Sequence, residues 1–321
     1  MLSVALCTYN GERYIREQLK SILNQTMPVD EIVVCDDGSV DNTFSIIEDF
    51  CSRTSVNIQI YKNEEKLGVS RNFKKALKLC HGEIVFFSDQ DDIWLPEKVE
   101  LFVNYFSQHR NTQVVFSNAI LIDANGSPLK SRKKLLWDYT FHTSYRRLFD
   151  IGCEWECFLE GNVATGATMA VKKAYCDRIP FISLCDNIIL HDYAICLIAS
   201  KDNVLGYIDK PLTKYRLYES QTCGISDKSP FYSVDEQAYI VDKVSHLLLC
   251  SNGMENRMNF VRFRIKNANR FWGGGVLLLK TQKYYRFYKK EAFHILFHDI
   301  ERWKELLLNR FLFSSERNSI N

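Results

Sequence analysis

The sequence predicts an α/β protein in which a mostly parallel central sheet is flanked by helices. In the first 120 residues, four short runs rich in Val, Ile and Phe alternate with four segments of helical periodicity. The connections between them are short and regular, as in a chain of strand and helix units. With 46% hydrophobic and 25% charged residues, the composition is that of a globular protein, and it excludes collagenous and low-complexity classes.

The first two units occupy residues 3–50. SVALCTY at 3–9 predicts a strand, and GERYIREQLKSILNQ at 11–25 predicts a helix with apolar residues at helical spacing. EIVVCDD at 31–37 predicts the second strand, and the next helix runs from Ser39 to Phe50. Ser39, Asp41 and Asn42 are candidate caps for its start.

The next two units begin at residue 57. NIQIY at 57–61 predicts the third strand, followed by a helix from about Val69 to Leu79. EIVFFSD at 83–89 predicts the fourth, and Pro96 suits the first turn of the helix after it. Polar residues follow the first, second and fourth strands. Since ligands on such sheets bind beyond the carboxyl ends of the strands, we expect a binding site there.

The remainder of the chain is less regular. Residues 113–218 predict longer strands with irregular connections and a helix from about His191, and the sequence beyond Tyr232 predicts mainly helix. Residues 260–321 contain 13 Lys and Arg against 5 Asp and Glu, interleaved with aromatic residues. This combination suits anionic membrane surfaces. A helical packing or dimerisation element with a solvated basic face is the alternative.

Cysteine usage and the terminus predict a cytoplasmic protein. The eleven cysteines show no CxxC pair and no spacing typical of a disulfide framework or a zinc site. The start, MLSVALCTYN, is too short and too uncharged for a signal peptide, and no run of 18 apolar residues predicts a membrane span.

Two acidic groups stand at predicted strand ends. In an extended segment Asp89 and Asp91 project to the same side, and paired carboxylates suit Mg²⁺ or Mn²⁺ together with substrate phosphates. Taken alone, this spacing is better explained by a solvated turn with capping aspartates before Pro96. In DDGS, Asp37 suits ribose hydroxyls or a base N–H, or else belongs to a turn with an N-cap.

Four ordered segments resemble the motifs of glycosyltransferase family 2: TYNGE (8–12), DDGSVDNT (36–43), LGVSRN (67–72) and SDQDDIW (88–94). That family has the GT-A fold, with a Rossmann-like central sheet, and transfers sugars from nucleotide diphosphate donors with inversion. The resemblance covers about residues 1–225. It implies a GT-A domain at 1–230, with a nucleotide-binding half at 1–112 and an acceptor-binding half at 113–230, followed by a helical extension at 231–321.

The resemblance also implies roles for individual residues. Asp89 and Asp91 are its DxD pair and would hold Mn²⁺ or Mg²⁺, with Asp91 the more direct ligand. The nucleotide sugar would be bound by Thr8, Tyr9, Asn10, Glu12, Asp37, Arg71, Asn72, Asp89, Gln90 and Arg216. Arg216 would neutralise the diphosphate, although a structural arginine is the alternative.

Asp192 in LHDYAI matches the position of the family's general base, which deprotonates the acceptor hydroxyl. It is also placed to cap the helix that follows, and the two roles are compatible. The acceptor would be bound by Trp94, Trp155, Thr165, Gly166 and His191. For the two tryptophans, burial in the core is the more common alternative.

One departure from the family pattern concerns the loop at 214–226. Tyr215 and Arg216 match, but Tyr218 stands where the family commonly has a histidine that serves as a further metal ligand. A phenol is a poor substitute at neutral pH because its pKa is near 10. The sequence therefore does not identify a third protein ligand for the metal.

The segments QDDIW and YNGERYI resemble those of bacterial members of the family that add rhamnose or related hexoses to cell-surface polysaccharides. The resemblance implies a dTDP-rhamnose donor, with UDP-hexoses second, and a lipid-linked glycan acceptor. The basic aromatic tail would then attach the enzyme to the inner face of the cytoplasmic membrane. No nucleic-acid motif accompanies the tail, so we expect no nucleic-acid partner.

Two rival classes remain. A nicotinamide-dependent oxidoreductase would show similar alternation, but TYNGE contains no G-x-G-x-x-G turn to cradle phosphates. A binding or scaffold protein that keeps the fold without the chemistry is favoured by Tyr218. The intact Asp37, Asp89, Asp91 and Asp192 oppose it.

Overall fold

The computed structural model describes residues 1–131, 133–141, 154–219 and 221, with the separate positions 146, 149, 239, 240, 243 and 244. The chain divides into two compact units. The first contains Met1–Phe141 and Gly161–Tyr232, and the second contains His142–Glu160 and Ser233–Asn321. The predicted basic, helical extension at 231–321 lies outside the described residues, apart from positions 239, 240, 243 and 244.

The four predicted strand and helix units are confirmed. They are β1 (Leu2–Thr8) with α1 (Ile15–Leu23), β2 (Glu31–Asp36) with α2 (Thr43–Cys51), β3 (Asn57–Lys62) with α3 (Val69–Leu79), and β4 (Ile84–Ser88) with α4 (Lys98–Gln108). A two-residue strand, β5 (Ile93–Trp94), lies between β4 and α4. The sequence does not predict β5, because two residues carry no readable alternation.

The rest of the first unit adds three strands: β6 (Val114–Ile122), β7 (Met169–Lys172) and β8 (Leu205–Arg216). Its helices are α6 (Lys173–Cys176), α7 (Phe181–Leu184) and α8 (His191–Lys201), and 3-10 turns lie at Leu136–Asp138 and Gly166–Thr168. The second unit contributes α5 (Glu154–Glu160). No helix among the described residues is long and apolar enough to cross a membrane.

All eight strands form one sheet in the order β3-β2-β1-β4-β7-β6-β8-β5. The first four strands are parallel to one another, as are β6 and β8. Strand β7 runs antiparallel to both of its neighbours, and β5 runs antiparallel to β8. The sheet is therefore mostly parallel, as predicted, with β7 joining a parallel half to a mixed half.

The core lies on the faces of this sheet. All six residues of β2 are buried, as expected for a central parallel strand covered on both sides. Helix α1 buries Ile15, Leu19 and Ile22, which recur at helical spacing. Phe86 of β4 packs against Trp94 and Phe102, each with ring centroids 5.6 Å apart. These contacts fix the end of β4, where the acidic residues begin.

The acidic residues lie on a short crossing of the sheet. Strand β4 ends at Ser88, and β5 pairs with β8 through Ile93 opposite Lys214 and Trp94 opposite Thr213. Only four residues, 89–92, connect an inner strand to the edge strand β5. Both ends of this acidic loop are thus held by the sheet.

Glu31, at the amino end of β2, is fully buried and hydrogen bonded. Its Oε1 accepts hydrogen bonds from the hydroxyl of Ser3 and the backbone N–H of His81, both at 2.5 Å. Its Oε2 lies 3.2 Å from Nδ1 of His81. Burial raises the pKa of Glu31, but the bonds from Ser3 and His81 outweigh it, and the net pKa is lowered.

We predict that Glu31→Gln destabilises the protein by roughly 1–3 kcal/mol at neutral pH, because a buried hydrogen-bonded carboxylate is lost. The folded-state pKa lies below the unfolded one, so the contribution is fully present above the unfolded value. It disappears as pH falls through the folded value. Urea unfolding at pH 7 and pH 4 should therefore show a stability gap between the variants that is largest at pH 7 and smaller at pH 4. Exposed Glu64→Gln is the control, and a gap that is equal at both pH values contradicts the assignment.

Candidate active site

A cavity of about 420 Å³ opens at the carboxyl ends of β1, β2 and β4, where the topology predicts a ligand site. It contains many of the side chains that the sequence predicts for the site. Those that line it are Thr8, Tyr9, Asp37, Asn72, Asp89, Gln90, Asp91, Thr165, Gly166, His191 and Asp192. The candidate base and the DxD pair therefore share one cavity.

The acidic loop buries two of its three carboxylates, and the third, that of Asp89, is half-buried. Asp91 is 7% exposed and Asp92 is fully buried. Burial raises the pKa of Asp89 to about 8, and the negative charges of Asp91 and Asp192 add to this effect. Burial also raises the pKa of Asp91 and, with its two acidic neighbours, that of Asp92. Such a cluster is stabilised by any positive charge brought close to it.

One buried amine lies close enough to the loop to interact with its carboxylates. Lys98, in the first turn of α4, is fully buried, and its Nζ donates to the carbonyl of Ala167 at 2.7 Å and to Oγ1 of Thr213 at 3.0 Å. The ammonium lies 4.1 Å from the ring centroid of Trp94. Burial lowers the pKa of Lys98 to about 7, although Asp92 and Asp89 act in the opposite direction. The cluster and the lysine therefore partly compensate one another.

Tyr218 occupies the position where the family commonly has a histidine. Its hydroxyl donates to Oδ2 of Asp91 at 2.6 Å, and its ring packs on Tyr14 at 5.1 Å. Burial and the charge of Asp91 raise the pKa of the phenol well above its ordinary value. Tyr218 is thus a neutral hydrogen-bond donor that orients Asp91, and it presents no anionic oxygen to a cation.

Arg216 supports the acidic loop from behind. Only 1% exposed, it donates from Nε to the carbonyl of Asp91 at 2.7 Å, and its backbone N–H donates to Oδ1 of Asp92 at 3.0 Å. One terminal nitrogen reaches Glu17 at 2.6 Å, and the other reaches the carbonyls of Asp123 and Ala124. With these partners, and outside the cavity lining, Arg216 has the structural role that the sequence left open.

At the end of β2, Asp37 fixes the segment that bounds the cavity. One oxygen accepts from Asn63 Nδ2 at 2.8 Å and from the N–H of Leu67 at 2.7 Å. The other accepts from the N–H of Gly68 at 2.9 Å. Gly68 has φ +76°, a conformation that favours glycine. Asp37 is buried and lines the cavity, so it holds this segment in place beside any ligand.

The turn after β1 is held mainly by hydrogen bonds from polar side chains. The amide of Gln90 accepts from the N–H of Tyr9 at 2.8 Å and donates to its carbonyl at 3.0 Å. A Cβ on Gly11 would lie 2.2 Å from Oε1 of Gln90, so a side chain there would displace the Gln90 amide from these hydrogen bonds. Asn10 accepts from the N–H of Val40 at 3.0 Å, and Glu12 accepts from the N–H and side chain of Asn42. These side chains join the turn to its neighbours.

Asp192 lies in the first turn of α8 and is 9% exposed. Its Oδ2 accepts from the N–H of Gly166 at 3.0 Å, and its Oδ1 accepts from the N–H of Tyr193 at 2.7 Å. Backbone donors thus fix the carboxylate at the cavity wall, where its negative charge contributes to the raised pKa of Asp89. A carboxylate held in this way and facing a cavity is suited to accept a proton from a ligand.

Comparison with known proteins places this geometry in a family. Residues 3–159 match the profile of glycosyl transferase family 2. The dTDP-rhamnosyl transferase RfbG of Shigella flexneri is 31% identical over 229 residues, which cover 68% of this chain and 73% of that protein. The chain belongs to glycosyltransferase family 2.

Other relatives agree with this assignment. The UDP-Glc:alpha-D-GlcNAc-diphosphoundecaprenol beta-1,3-glucosyltransferase WfgD of Escherichia coli is 33% identical over 126 residues, or 39% of this chain and 48% of that one. The crystal structure of S. aureus TarS 1-349 in complex with UDP-GlcNAc superposes with a TM-score of 0.54 at 20% identity, covering 88% of this chain and 78% of that one. The fold of this glycosyltransferase is GT-A, as the sequence resemblance implied.

Several predicted site residues of the glycosyltransferase lie away from the cavity lining. Arg71 is exposed on α3, and Asn10 and Glu12 clamp the first turn. Trp94 is 2% exposed and packs in the core against Phe86. This is the core burial that the sequence analysis gave as the alternative to a sugar contact. Trp155, in α5 of the second unit, is fully buried. Neither indole ring presents an open face on which a sugar would stack.

Two lysines contribute to the glycosyltransferase site without having been predicted. Lys66 lines the cavity and lies 3.7 Å above the ring of Tyr9. The sequence places Lys66 directly before the LGVSRN motif. However, the segment KNEEK at 62–66, which ends with Lys66, is typical of a solvent-exposed charged loop. Lys98 had a clearer signal, since it stands in a helix whose neighbouring Val99 and Phe102 are apolar. A lysine that precedes such a buried face is usually assigned to solvent.

We predict that Arg216→Lys lowers the stability of the folded protein by roughly 2–3 kcal/mol, because lysine keeps the charge but leaves buried carbonyls without donors. The partner Glu17 is 53% exposed and contributes little to this figure. Denaturant unfolding measures the loss, and exposed Arg71→Lys is the matched control. Equal stability of Arg216→Lys and wild type contradicts a structural role.

Proposed function

We propose that this glycosyltransferase moves rhamnose from dTDP-rhamnose, with inversion, to a hydroxyl of a lipid-linked oligosaccharide or polysaccharide. A hexose from a UDP-sugar is the second choice. The observation that carries the proposal is the meeting of Asp89, Asp91 and Asp192 in one cavity at the carboxyl edge of the sheet. Support for the donor comes from the relative named a dTDP-rhamnosyl transferase, and support for a UDP-sugar comes from the relative named a UDP-Glc transferase.

The residues present suit a divalent cation. Asp89 and Asp91 offer hard carboxylate oxygens, which Mg²⁺ and Mn²⁺ prefer, and burial beside other acids raises the pKa of both. Within the described residues no group of three His, Cys, Asp or Glu side chains could hold a metal. The set therefore fits a cation that takes its other ligands from a diphosphate and water. When bound, Mn²⁺ or Mg²⁺ would neutralise charge on the diphosphate leaving group.

Asp192 acts as the general base in this proposal. The acceptor hydroxyl gives its proton to the Asp192 carboxylate as its oxygen forms a bond to the anomeric carbon. On the opposite side, the bond from that carbon to the diphosphate oxygen breaks, and the nucleoside diphosphate leaves with the electron pair. The bonds from Gly166 and Tyr193 keep the carboxylate facing the cavity while the proton moves.

We further propose that the enzyme works in the cytoplasm, peripherally bound to the inner face of the membrane where a lipid-linked acceptor is presented. The 13 Lys and Arg of residues 260–321 support this, because basic residues with aromatics bind anionic lipid surfaces. Co-sedimentation of the full chain with vesicles of neutral or anionic lipid tests it. Binding that is equal for both kinds of vesicle contradicts an electrostatic attachment. A homodimer through this segment is the alternative use of it.

The second candidate function is a binding or scaffold protein with the family fold and no transfer activity. The observation in its favour is Tyr218, a neutral donor to Asp91 in place of a metal ligand. The burial of the carboxylates argues for catalysis, since a scaffold gains nothing from retaining them at this cost. Nucleotide binding and transfer assays separate the two candidates.

We predict that dTDP binds at least tenfold more tightly with Mn²⁺ than without it, because carboxylates alone repel a diphosphate. Calorimetric titration of dTDP and of UDP, each with and without Mn²⁺, measures this and ranks the two bases. Asp91→Asn should abolish the gain from the metal. If neither nucleotide binds under any condition, the scaffold candidate replaces the enzyme.

We predict that Asp192→Asn lowers the transfer rate by roughly 10²–10⁴-fold, because the amide cannot take the acceptor proton. Its affinity for dTDP with Mn²⁺ should match wild type, since the leaving group lies on the other side of the reacting carbon. Asp177→Asn, a surface aspartate paired with Lys173, is the control with unchanged activity. Transfer at the wild-type rate removes Asp192 as the base.

A further inference from the structure

Lys98 is a fully buried lysine whose amine is bonded to two uncharged oxygens. Its Nζ donates to the carbonyl of Ala167 and to the hydroxyl of Thr213, and it lies over the ring of Trp94. Lysine is rarely buried without a charged partner. Oδ2 of Asp92 is buried without a hydrogen-bond partner in the part of the chain that the structure describes, yet the amine bonds elsewhere. These contacts indicate a role for Lys98 beyond compensating the charge of the acidic loop.

The carbonyl that Lys98 holds belongs to the turn at Gly166–Thr168. All three residues of this turn are buried. The two carbonyls that precede that of Ala167 accept hydrogen bonds from backbone N–H groups close by in the sequence. The carbonyl of Ala167 instead accepts from Nζ of Lys98 at 2.7 Å, and from the hydroxyl of Thr213 at the longer distance of 3.5 Å. Since a buried carbonyl without a donor is costly, the position of the turn depends on this amine.

The same turn fixes the proposed base. The N–H of Gly166 donates to Oδ2 of Asp192 at 3.0 Å, and a Cβ on Gly166 would lie 3.6 Å from Cβ of Asp192. The bond to the other oxygen of this carboxylate comes from the N–H of Tyr193, the next residue in the same helix. The bond from Gly166 therefore relates the carboxylate to an element outside its own helix. The carbonyl that Lys98 holds belongs to the adjacent residue.

Lys98 also connects the turn to the strands that hold the acidic loop. Thr213, its second partner, stands opposite Trp94 in the pairing of β8 with β5, and β5 directly follows the loop. One amine thus joins the turn beside Asp192 to the sheet edge next to the loop. An inverting transfer needs the base and the leaving group on opposite sides of the reacting carbon, and a misplacement of about 1 Å can cost about 10²-fold in rate.

We infer that Lys98 is a positioning residue: its amine holds the Gly166–Thr168 turn through Ala167, and the turn fixes Asp192 relative to the acidic loop. The inference rests on the proposed function, in which Asp192 is the general base. Lys98 is not among the residues that line the cavity, so it touches no substrate and acts through the turn.

The test is a double-mutant cycle with Lys98→Met and Asp192→Asn in the full-length chain. Methionine keeps the length of the side chain and its packing on Trp94 but has no N–H donor. We expect Lys98→Met to lower kcat roughly tenfold or more, with the KM for the sugar nucleotide close to that of wild type. In the Asp192→Asn background the same change should cost little further rate, because the base that Lys98 positions is already lost. Equal losses in the two backgrounds overturn the inference.

Lys172→Met is the matched control. Its Nζ also bonds to a backbone carbonyl, that of Arg110 at 2.9 Å, and lies over an aromatic ring, that of Phe106, away from the cavity lining. Its kcat should match wild type, and equal losses in the two lysine variants overturn the inference. The inference also fails if Lys98→Met removes the gain in dTDP affinity from Mn²⁺ and lowers kcat in both backgrounds, because the amine then acts on the acidic loop.

Should Lys98→Met not fold, Thr213→Val takes its place. This change removes the bond that holds the amine on β8 and the second donor to Ala167, and it leaves the shape of the side chain nearly unchanged. We then expect a smaller loss of kcat that again disappears in the Asp192→Asn background. An unchanged kcat overturns the inference.

Amide hydrogen exchange tests the inference without turnover. In the ligand-free protein, the N–H of Gly166 should exchange roughly tenfold or more faster in Lys98→Met than in Lys172→Met, because the turn has lost the donor that holds it. Thr213→Val should show the same change at smaller size. Unchanged exchange at Gly166 overturns the inference, whereas absence of transfer by wild type counts against the proposed function alone.

Discussion

The site depends on three aspartates in a loop of four residues, of which Asp91 and Asp92 are buried and Asp89 is half-buried. Asp89, Asp91 and Asp92 repel one another and lose hydration, so the fold has to supply partners on every side. Arg216 bonds to the Asp91 carbonyl and to the Asp92 side chain, and Tyr218 donates to Asp91. The amine of Lys98 partly offsets the rise in the pKa of Asp92. The pairing of β5 with β8 brings the strand that carries Arg216 next to the loop. The mixed half of the sheet therefore positions the partners of the acidic loop, in addition to forming part of the core.

The motif residues do more to build the loops than to face the ligand. Asp36 accepts hydrogen bonds from Thr8 and Ser39, Gln90 pairs with the backbone of Tyr9, and Glu12 holds Asn42. Loops at the carboxyl ends of strands expose many backbone donors and acceptors, and these short polar side chains satisfy them. The cavity keeps its shape because the motif side chains are mutually bonded. This explains why several polar residues of one motif lie outside the cavity lining.

Sequence reasoning reached the fold and the cavity from local signals. The four strand and helix units and their polar ends follow from periodicity, and the ordered motifs identify the family before any contact is known. Hydrogen-bond partners that are far apart in the sequence could not be predicted. Arg216 bonds to Glu17, 199 positions away, and nothing near either residue indicates the pair. The buried position of Lys98 was not predicted for a related reason, since the partners of its amine lie on β8 and in the Gly166–Thr168 turn.

The replacement of the expected histidine by Tyr218 follows from the same electrostatic constraint. A neutral phenol held at 2.6 Å lowers the cost of burying the Asp91 carboxylate, and it keeps that group oriented when no cation is present. A histidine that serves as a metal ligand directs a lone pair toward the cation, so it gives the carboxylate no such help. This chain therefore stabilises its acidic loop through the protein alone, by Tyr218, Arg216 and Lys98. In the proposed mechanism a cation would take more of its ligands from the diphosphate, and metal binding would then be coupled to donor binding.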